Sequence, residues 1–423
     1  MKLKRLEIHN YKSLRNVVLE PAPLSVFVGP NAAGKSNFAD ALDFLSEVYR
    51  WDLEGAVKKK GGYENICFRQ AARSTEAIRF RVVLEFLATD WDSGFKGTYP
   101  VLFVDHTFEL GVKSRSPRAP FFVNFEELVV REEYGEGSLV LSRVTRKRGK
   151  IAVDLGDTPE GSEPLRANDP LVFAMKRLVR EPIDRLSDVE LLIPRADTVY
   201  RWGGLSSRLM SGLRVFQLSP HLCRSSGVPT PNSNLERFGG NLPAVVDFLR
   251  REHPTAFDRL LDTIRRVMPS IEMIETNFTH TKTLGLFLKE VGVAKPWTAE
   301  DISDGTIQAI ALLTATFDPR VPILVIEEPE NSVHPWAIRN FVQAFREASE
   351  TKQIFLTTHS PILIDQIRPE ELWVVQRPEL ETKITPVLEL DPSLKDAWGQ
   401  GKSTLSEYLD SGAIPAAVPA SGV

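Results

Sequence analysis

The stretch Gly29-Pro30-Asn31-Ala32-Ala33-Gly34-Lys35-Ser36 decides the fold of this chain, because it has the pattern of a phosphate-binding loop. The apolar run Leu24–Val28 before it predicts a buried strand. Apolar residues after it recur at helical spacing, at Phe38, Ala41, Leu42, Leu45 and Val48. A strand, a loop and a helix N-terminus in this order direct backbone N–H groups at a polyphosphate. A glycine-rich turn before an ordinary helix is the alternative that this context disfavours.

The loop therefore predicts a nucleoside triphosphate site. Lys35 is expected to reach the β- and γ-phosphates, and the hydroxyl of Ser36 to hold Mg²⁺. The predicted nucleotide-binding residues are Gly29, Pro30, Asn31, Ala32, Ala33, Gly34, Lys35, Ser36 and Asn37.

A second apolar run, Ile323–Ile326, ends in Glu327-Glu328-Pro329-Glu330. Such a run is typical of a central parallel strand that is buried on both faces. Ligands of open α/β sheets bind at the carboxyl ends of the strands. We expect Glu327 to coordinate Mg²⁺, directly or through water, and Glu328 to activate the attacking water. A solvated acidic turn is the alternative, but it does not explain why two carboxylates follow so hydrophobic a strand.

Two further segments complete the pattern. The run Gln353–Thr358 predicts another strand, and His359 at its end could contact the γ-phosphate or the attacking water. A structural core or capping histidine is the alternative. The segment Asp301–Thr306 predicts a helix start, with Ser303 or Asp304 as N-cap and Gly305 allowing a close backbone approach.

Together these motifs resemble the heads of ABC-type ATPases. Within that superfamily the chain resembles AAA-family ATPases related to RecF and to the ATPase half of OLD (overcoming lysogenization defect) proteins. The segments Leu3–Leu14 and Gly239–Leu242 are also similar to these families. The resemblance covers residues 1–95 and 235–390. It implies an α/β fold of the P-loop NTPase, ABC-ATPase head type, with a parallel-rich central sheet, an antiparallel β lobe and an inserted helical lobe.

The resemblance also implies roles for individual residues. Lys35 and Ser36 match the phosphate lysine and the Mg²⁺ hydroxyl. Glu327 occupies the position of the metal-side carboxylate, where many ABC heads have Asp. Glu328 matches the catalytic glutamate, and His359 the switch histidine.

Ser303-Asp304-Gly305 corresponds to the signature that reaches across a dimer to the partner's γ-phosphate, with Asp304 in place of the usual small residue. His334 stands where ABC heads carry the Asp of the loop after the catalytic strand. The resemblance does not place the glutamine loop, for which Gln70 is a candidate.

The phosphate loop and Glu327 are far apart in sequence, so a large insertion divides the ATPase core. Alternating runs between Ile78 and Val153 predict antiparallel strands, and apolar stripes from about Pro170 to Val267 predict helices. The predicted segments are 1–95, the first part of the core with the phosphate loop; 96–165, the β lobe; 166–270, the helical lobe; 271–392, the rest of the core; and 393–423, a partly disordered extension.

Composition agrees with an intracellular enzyme. The two cysteines, Cys67 and Cys223, give no disulfide framework. No apolar region follows the basic start Met1–Arg5, as a signal peptide would require, and no run of about twenty apolar residues predicts a membrane span. We therefore expect a cytoplasmic protein without a membrane partner.

Two basic clusters, Lys58–Lys60 and Arg143–Lys150, leave direct contact with DNA open. Clustered Lys and Arg bind phosphates in a salt-dependent way. Charge runs also occur on plain solvated turns, so both alternatives stand. The formal net charge of −4 argues against a nucleic-acid coat but not against a local basic face.

OLD-type proteins carry a TOPRIM nuclease after the ATPase half, and the segment Trp373–Val423 is short for such a domain. We therefore expect an ATP- and Mg²⁺-dependent ATPase that forms a homodimer or higher oligomer. It would gate a separately encoded effector, favoured to be a nuclease, in prokaryotic anti-phage defence or DNA maintenance. A RecF-like DNA-repair ATPase that binds DNA directly, and a nucleotide-gated scaffold with little turnover, are the alternatives.

Overall fold

The computed structural model describes residues 1–68, 76–86, 101–112, 120–134, 137–147, 149–155, 187, 189–191, 201–401 and 403–411. The first strands are β1 (Lys2–Tyr11), β2 (Leu14–Leu19), β3 (Leu24–Val28), β4 (Ile78–Phe86), β5 (Val101–Val112), β6 (Phe121–Tyr134), β7 (Gly137–Lys147) and β8 (Lys150–Leu155). The later strands are β9 (Arg214–Phe216), β10 (Ile271–Phe278), β11 (Leu284–Glu290), β12 (Trp297–Thr298), β13 (Ile323–Glu327), β14 (Gln353–Thr358), β15 (Leu372–Gln376) and β16 (Lys383–Pro386).

The helices up to residue 267 are α1 (Lys35–Arg50), α2 (Leu53–Lys59), α3 (Tyr63–Ile66), α4 (Arg201–Ser211), α5 (Pro220–Cys223), α6 (Leu242–Glu252) and α7 (Pro254–Val267). The later helices are α8 (Asp304–Phe317), α9 (Pro335–Ala348), α10 (Pro361–Ile364), α11 (Val387–Leu390), α12 (Leu394–Gly399) and α13 (Leu405–Asp410). Short 3₁₀ turns cover Pro369–Glu371 and Pro378–Leu380. Among the described residues, no helix combines the length and the apolar character that crossing a bilayer requires.

The chain divides into two compact units. The first unit comprises Met1–Pro21, Asp40–Gly212 and Arg377–Ile384, and the second comprises Ala22–Ala39, Leu213–Gln376 and Thr385–Val423. Helix α6 and helix α7 belong to the second unit, whereas α4 belongs to the first. The apolar stripe predicted at Leu171, Met175, Leu178 and Val179 lies outside the described residues.

The first unit contains a seven-stranded sheet in the order β2-β1-β4-β5-β6-β7-β8. Every neighbouring pair in it is antiparallel. The predicted antiparallel β lobe is therefore present, and the strands β1, β2 and β4 belong to the same sheet. Aromatic contacts fill its core, with the Phe80 ring 5.6 Å from Tyr11, 5.6 Å from Phe44 and 5.4 Å from Phe108.

The second unit contains a six-stranded sheet in the order β16-β15-β3-β14-β13-β9. The pairings of β3 with β14 and β15, and of β13 with β14 and β9, are all parallel. Every residue of β3, β13 and β14 is buried, as their apolar runs predict for strands covered on both faces. The α/β fold class predicted from the sequence is confirmed.

Helices complete the core of the second unit. Helix α8 is mostly apolar, and its residues from Ile307 to Phe317 are all buried. Helices α7 and α9 each contribute one buried stripe to the same core, and α6 is buried on all sides from Leu242 to Leu249. A small antiparallel sheet in the order β10-β11-β12 adds Ile274, Leu286 and Leu288 to it.

Candidate nucleotide site

The candidate site lies entirely in the second unit, at the carboxyl edge of the six-stranded sheet. Strand register aligns Val28 with Thr358 and Glu327 with Thr357. Because the strands are parallel, the phosphate loop, Glu328 and His359 leave the sheet at the same edge. This is the edge at which open α/β sheets bind ligands.

The loop between β3 and α1 has the backbone that a phosphate site needs. A side chain at Gly29 would place its Cβ 1.9 Å from the carbonyl oxygen of Val375, so only glycine fits there. Gly34 has φ of +108°, which glycine tolerates best, and helix α1 begins at the next residue. The Nζ of Lys35 donates hydrogen bonds to the carbonyls of Gly29 (2.8 Å) and Pro30 (3.1 Å). The lysine therefore lies across its own loop.

Burial lowers the pKa of Lys35 to about 8, while the carboxylates of Glu328 and Glu330 act in the opposite direction. An anion next to a lysine stabilises its charged form. A bound phosphate would therefore raise the pKa of Lys35 and keep its amine protonated.

Glu327 is the last residue of β13 and is only 6% exposed. Arg237 donates from Nη2 to Glu327 Oε1 at 2.9 Å, and the side chain of Ser36 is hydrogen-bonded to the same carboxylate. Burial raises the pKa of Glu327, and the bonds from Ser36 and Arg237 lower it. A buried carboxylate beside the loop hydroxyl fits Mg²⁺, which takes oxygen ligands and binds through one or two carboxylates together with substrate phosphates.

Glu328 follows in an unusual backbone conformation, with φ of +49°. Its amide donates to the carbonyl of Thr357 (2.9 Å), and its Oε2 accepts from Asn331 Nδ2 (2.8 Å). Its Oε1 lies 3.8 Å from Nε2 of His359. Few non-glycine residues adopt a positive φ, and residues that do so cluster at active sites.

His359 is held in place through its backbone. Oε1 of Glu330 accepts hydrogen bonds from the hydroxyl of Thr358 (2.6 Å) and from the amide of His359 (3.0 Å). Burial lowers the pKa of His359, the charge of Lys35 lowers it further, and Glu328 raises it. These effects favour the neutral imidazole, which has one nitrogen to donate and one to accept.

The signature residues lie at the start of α8. Ser303 caps the helix, because its Oγ accepts from the amide of Thr306 (3.2 Å). A Cβ at Gly305 would lie 2.8 Å from the carbonyl oxygen of Ser332, so the turn packs closely on the loop after β13. His334 caps α9 by accepting from the amide of Trp336 (3.2 Å). The structure thus brings together Lys35, Ser36, Glu327, Glu328 and His359, whereas the signature turn contacts the loop at Ser332.

Two residues at the site come from the structure and not from the sequence: Arg237, which binds Glu327, and Gln217. The register that aligns Phe216 with Ile326 places Gln217 beside Glu327, and Gln217 is exposed. Its amide donates to the carbonyl of Arg237 (3.0 Å). Gln217 is therefore the candidate for the glutamine loop that the register offers, and Gln70 lies outside the described residues.

The basic clusters are largely engaged within the first unit. Lys60 pairs with Asp40 (2.6 Å) and Asp43 (2.7 Å). The neighbouring lysines pair with acids of the same unit: Lys58 with Glu54 and Lys59 with Glu47, each at 2.8 Å. Arg146 is buried and donates to the backbone carbonyls of Ser187 and Glu190. These contacts favour the solvated-turn interpretation for Lys58–Lys60 and a structural role for the buried Arg146, and both disfavour direct DNA contact.

Replacing Arg237 with glutamine is expected to lower the free energy of unfolding by about 1–3 kcal/mol, because the buried carboxylate of Glu327 loses a charged donor. Magnesium with nucleotide should recover part of this loss, since a cation then neutralises the same carboxylate. Urea unfolding with and without MgATP measures both effects. Exchange of the exposed Arg339 for glutamine is the matched control. An equal loss with and without MgATP would contradict the assignment of Glu327 to the metal side.

Comparisons with known proteins agree with this geometry. The family described as "AAA ATPase domain" matches residues 1–90, and the family described as "AAA domain, putative AbiEii toxin, Type IV TA system" matches residues 204–365. The OLD nuclease of Thermus scotoductus (strain ATCC 700910 / SA-01) is 22% identical over 395 residues, which are 89% of this chain and 62% of that protein. The chain thus spans less than two thirds of this curated relative.

Solved structures of SMC heads are also similar. The SMC head domain from Thermotoga maritima has 13% identity and a TM-score of 0.40, with 92% of this chain and 99% of that chain covered. The Smc head domain derived from Pyrococcus furiosus, with an extended coiled coil and bound to the C-terminal domain of ScpA, has 12% identity and a TM-score of 0.44, with 94% and 99% covered. The resemblance predicted from the sequence is confirmed by the two family matches and the OLD relative: two segments of the chain match AAA ATPase family models, and the chain is similar to an OLD nuclease.

Proposed function

We propose that this chain hydrolyses ATP with Mg²⁺, assembles through bound nucleotide, and gates an effector nuclease carried by another polypeptide. The observation that carries the proposal is the constellation around Glu328. Its strained backbone holds a carboxylate 3.8 Å from a neutral histidine, next to the Ser36–Glu327 pair. These groups meet at the sheet edge where the phosphate loop ends.

The geometry supports a separate role for each of these groups in hydrolysis. The backbone N–H groups of the loop and the amine of Lys35 bind the β- and γ-phosphates. Ser36 and Glu327 would hold Mg²⁺, and the ion would neutralise charge on the phosphates. Glu328 accepts a proton from the water that attacks the γ-phosphorus, and the bond to the β-phosphate oxygen breaks to release ADP and phosphate. The neutral His359 orients that water or donates to the γ-phosphate. Gln217, which lies beside Glu327, would add a further polar group at the metal site.

Assembly follows from the position of the signature turn. The resemblance to ABC-type heads supports placing Ser303 against the γ-phosphate of a partner chain across a two-fold axis. Two-fold dimers are the commonest symmetric assembly. The N-terminus of α8 carries partial positive charge, which favours an anion there. Nucleotide would then hold two heads together, and hydrolysis would release them.

The OLD relative is named a nuclease, which supports a nuclease as the effector. A role in prokaryotic anti-phage defence or DNA maintenance is part of the proposal and rests on the resemblance of the motifs to OLD proteins. ATP-dependent nuclease activity, reconstituted from this chain and the product of an adjacent nuclease gene, tests the gating step. Salt-dependent DNA binding by this chain alone would instead favour the RecF-like function. Assembly with ATP but without phosphate release would favour the scaffold.

Replacing Lys35 with alanine tests the nucleotide site itself. We expect ATP affinity to fall about ten- to hundredfold, because a hydrogen-bonded charge on the phosphates is lost. Titration calorimetry of the two proteins with MgATP measures the change. The matched control is Lys58→Ala, since Lys58 is paired with Glu54 in the first unit. Unchanged affinity in the Lys35 variant would refute the assignment of the phosphate loop.

A further inference from the structure

The signature turn has a carboxylate in an unfavourable place. Asp304 directly follows Ser303, the residue that the proposed function sets against the partner's γ-phosphate, and its side chain is 66% exposed. A negative side chain beside a phosphate repels it, and like-charge juxtaposition at an interface is costly. The turn therefore needs a compensating cation if it is to face an anion.

Arg224 supplies a cation at this position. Its Nη1 lies 2.7 Å from Oδ1 of Asp304. Its Nε donates to the carbonyl of Ala299 (3.1 Å), and its Nη2 donates to the carbonyl of Ile302 (2.8 Å). One guanidinium thus contacts three points of the segment that leads into α8. The guanidinium meets these acceptors with three separate nitrogens in a planar fork, whereas lysine has a single ammonium nitrogen.

The backbone before Arg224 is held by helix α5 and by the packing of Cys223. Arg224 follows helix α5, and the amide of Cys223 donates to the carbonyl of Ser219 (2.9 Å). The buried thiol of Cys223 packs against Gly239, where a Cβ would approach its Sγ to 2.3 Å. The backbone next to Arg224 is therefore closely packed, and this packing fixes the position from which the guanidinium reaches the signature turn.

We propose that Arg224 is a positioning residue of the signature turn, which fixes the backbone before α8 and neutralises Asp304 so that Ser303 can face an anionic phosphate. The proposal rests on the proposed function, in which the turn completes the nucleotide site of a second copy of this chain. The two hydrogen bonds from Arg224 to backbone carbonyls hold the conformation of the turn. The ion pair with Asp304 reduces the repulsion between this carboxylate and the phosphate.

A double-variant experiment separates these two purposes. Arg224→Ala should bind MgATP with nearly unchanged affinity within each chain. Its ATP-driven assembly should be lost, and its turnover should fall about a hundredfold, the effect of misplacing a positioned group. Adding Asp304→Asn to Arg224→Ala should recover about tenfold of that turnover, since the uncompensated charge is then removed. Arg224→Lys, which keeps the charge but not the geometry, should lie between Arg224→Ala and the unmodified protein.

The matched control is Arg265→Ala. Arg265 also donates from Nε (3.0 Å) and Nη2 (2.7 Å) to a backbone carbonyl, that of Glu272, but it does not contact the signature turn in these bonds. Its removal should leave turnover and assembly unchanged. Full assembly and turnover in Arg224→Ala would overturn the proposal, and so would a double variant that recovers nothing.

A second readout does not depend on assembly. Amide hydrogen exchange in the nucleotide-free protein reports local opening of the turn. Exchange at Asp301, Thr306 and Ile307, whose amides are bonded within the turn, should be about tenfold faster in Arg224→Ala. If the unmodified protein does not assemble with ATP, the proposed function fails, while this exchange still decides whether Arg224 positions the turn. Unchanged exchange would overturn the positioning role.

Discussion

Replacing Glu328 with glutamine is expected to lower ATP turnover by about 10²–10⁴-fold, the usual effect of losing a general base. ATP binding should remain intact, because the phosphate loop and the Ser36–Glu327 pair are not altered. The glutamine amide is nearly isosteric and can still meet Asn331 and His359, so the strained turn should be retained. Steady-state phosphate release and nucleotide titration on the same sample measure the two properties separately.

The control for this substitution is Glu350→Gln, which changes an exposed carboxylate of the second unit after α9. It should leave both turnover and binding unchanged. Hydrolysis at the unmodified rate in Glu328→Gln would remove this residue from its role. A parallel loss of ATP binding would indicate that the substitution disturbs the phosphate loop and not the proton transfer.

Replacing Ser303 with arginine is expected to abolish ATP-driven assembly and turnover while each chain still binds ATP. A long cation in place of the small hydroxyl would fill the space that the partner's γ-phosphate needs. Sedimentation is best done in the Glu328→Gln background, because unhydrolysed ATP should hold dimers or larger assemblies together. Adding Ser303→Arg to that variant should remove the assemblies.

Two controls separate contact across the dimer from helix stability. Ser303→Ala removes the N-cap of α8 without adding bulk, and lost caps cost about 0.5–2 kcal/mol. Ser270→Arg adds the same cation at an exposed serine of the second unit. An assembly defect in Ser303→Arg that is larger than in both controls supports the shared site. A strictly monomeric and fully active unmodified enzyme would refute it.

Local sequence determines most of the nucleotide edge. The strands β3, β13 and β14 are apolar runs that end in a glycine-rich loop, two carboxylates and a histidine, and each pattern is readable without its neighbours. Gln217 is not readable in this way, because its strand has only three residues and its significance depends on parallel pairing with β13. Arg237 is likewise invisible in sequence, since its partner Glu327 lies 90 positions away.

In the first unit, likewise, the sequence predicts the strands but not how they pair. Alternation predicts strands between Ile78 and Val153, and β4 to β8 are found there. Alternation does not specify which strands pair, so the register of β4 with β1 could not be predicted. Nor does a run of lysines reveal its partners. The acids that meet Lys60 come from α1, 17 and 20 positions earlier.

The carboxylate of Glu330 links the loop that carries Glu328 to the residue proposed as the switch histidine, His359. One of its oxygens accepts from Thr358 and from His359, which follow it by 28 and 29 positions. The loop after β13, which carries the proposed general base, therefore supplies the acceptor that holds the end of β14 and the backbone of His359. Substitutions of residues in contact usually have non-additive effects on the free energy. The effects of changing Glu330 and Thr358 are therefore expected not to add.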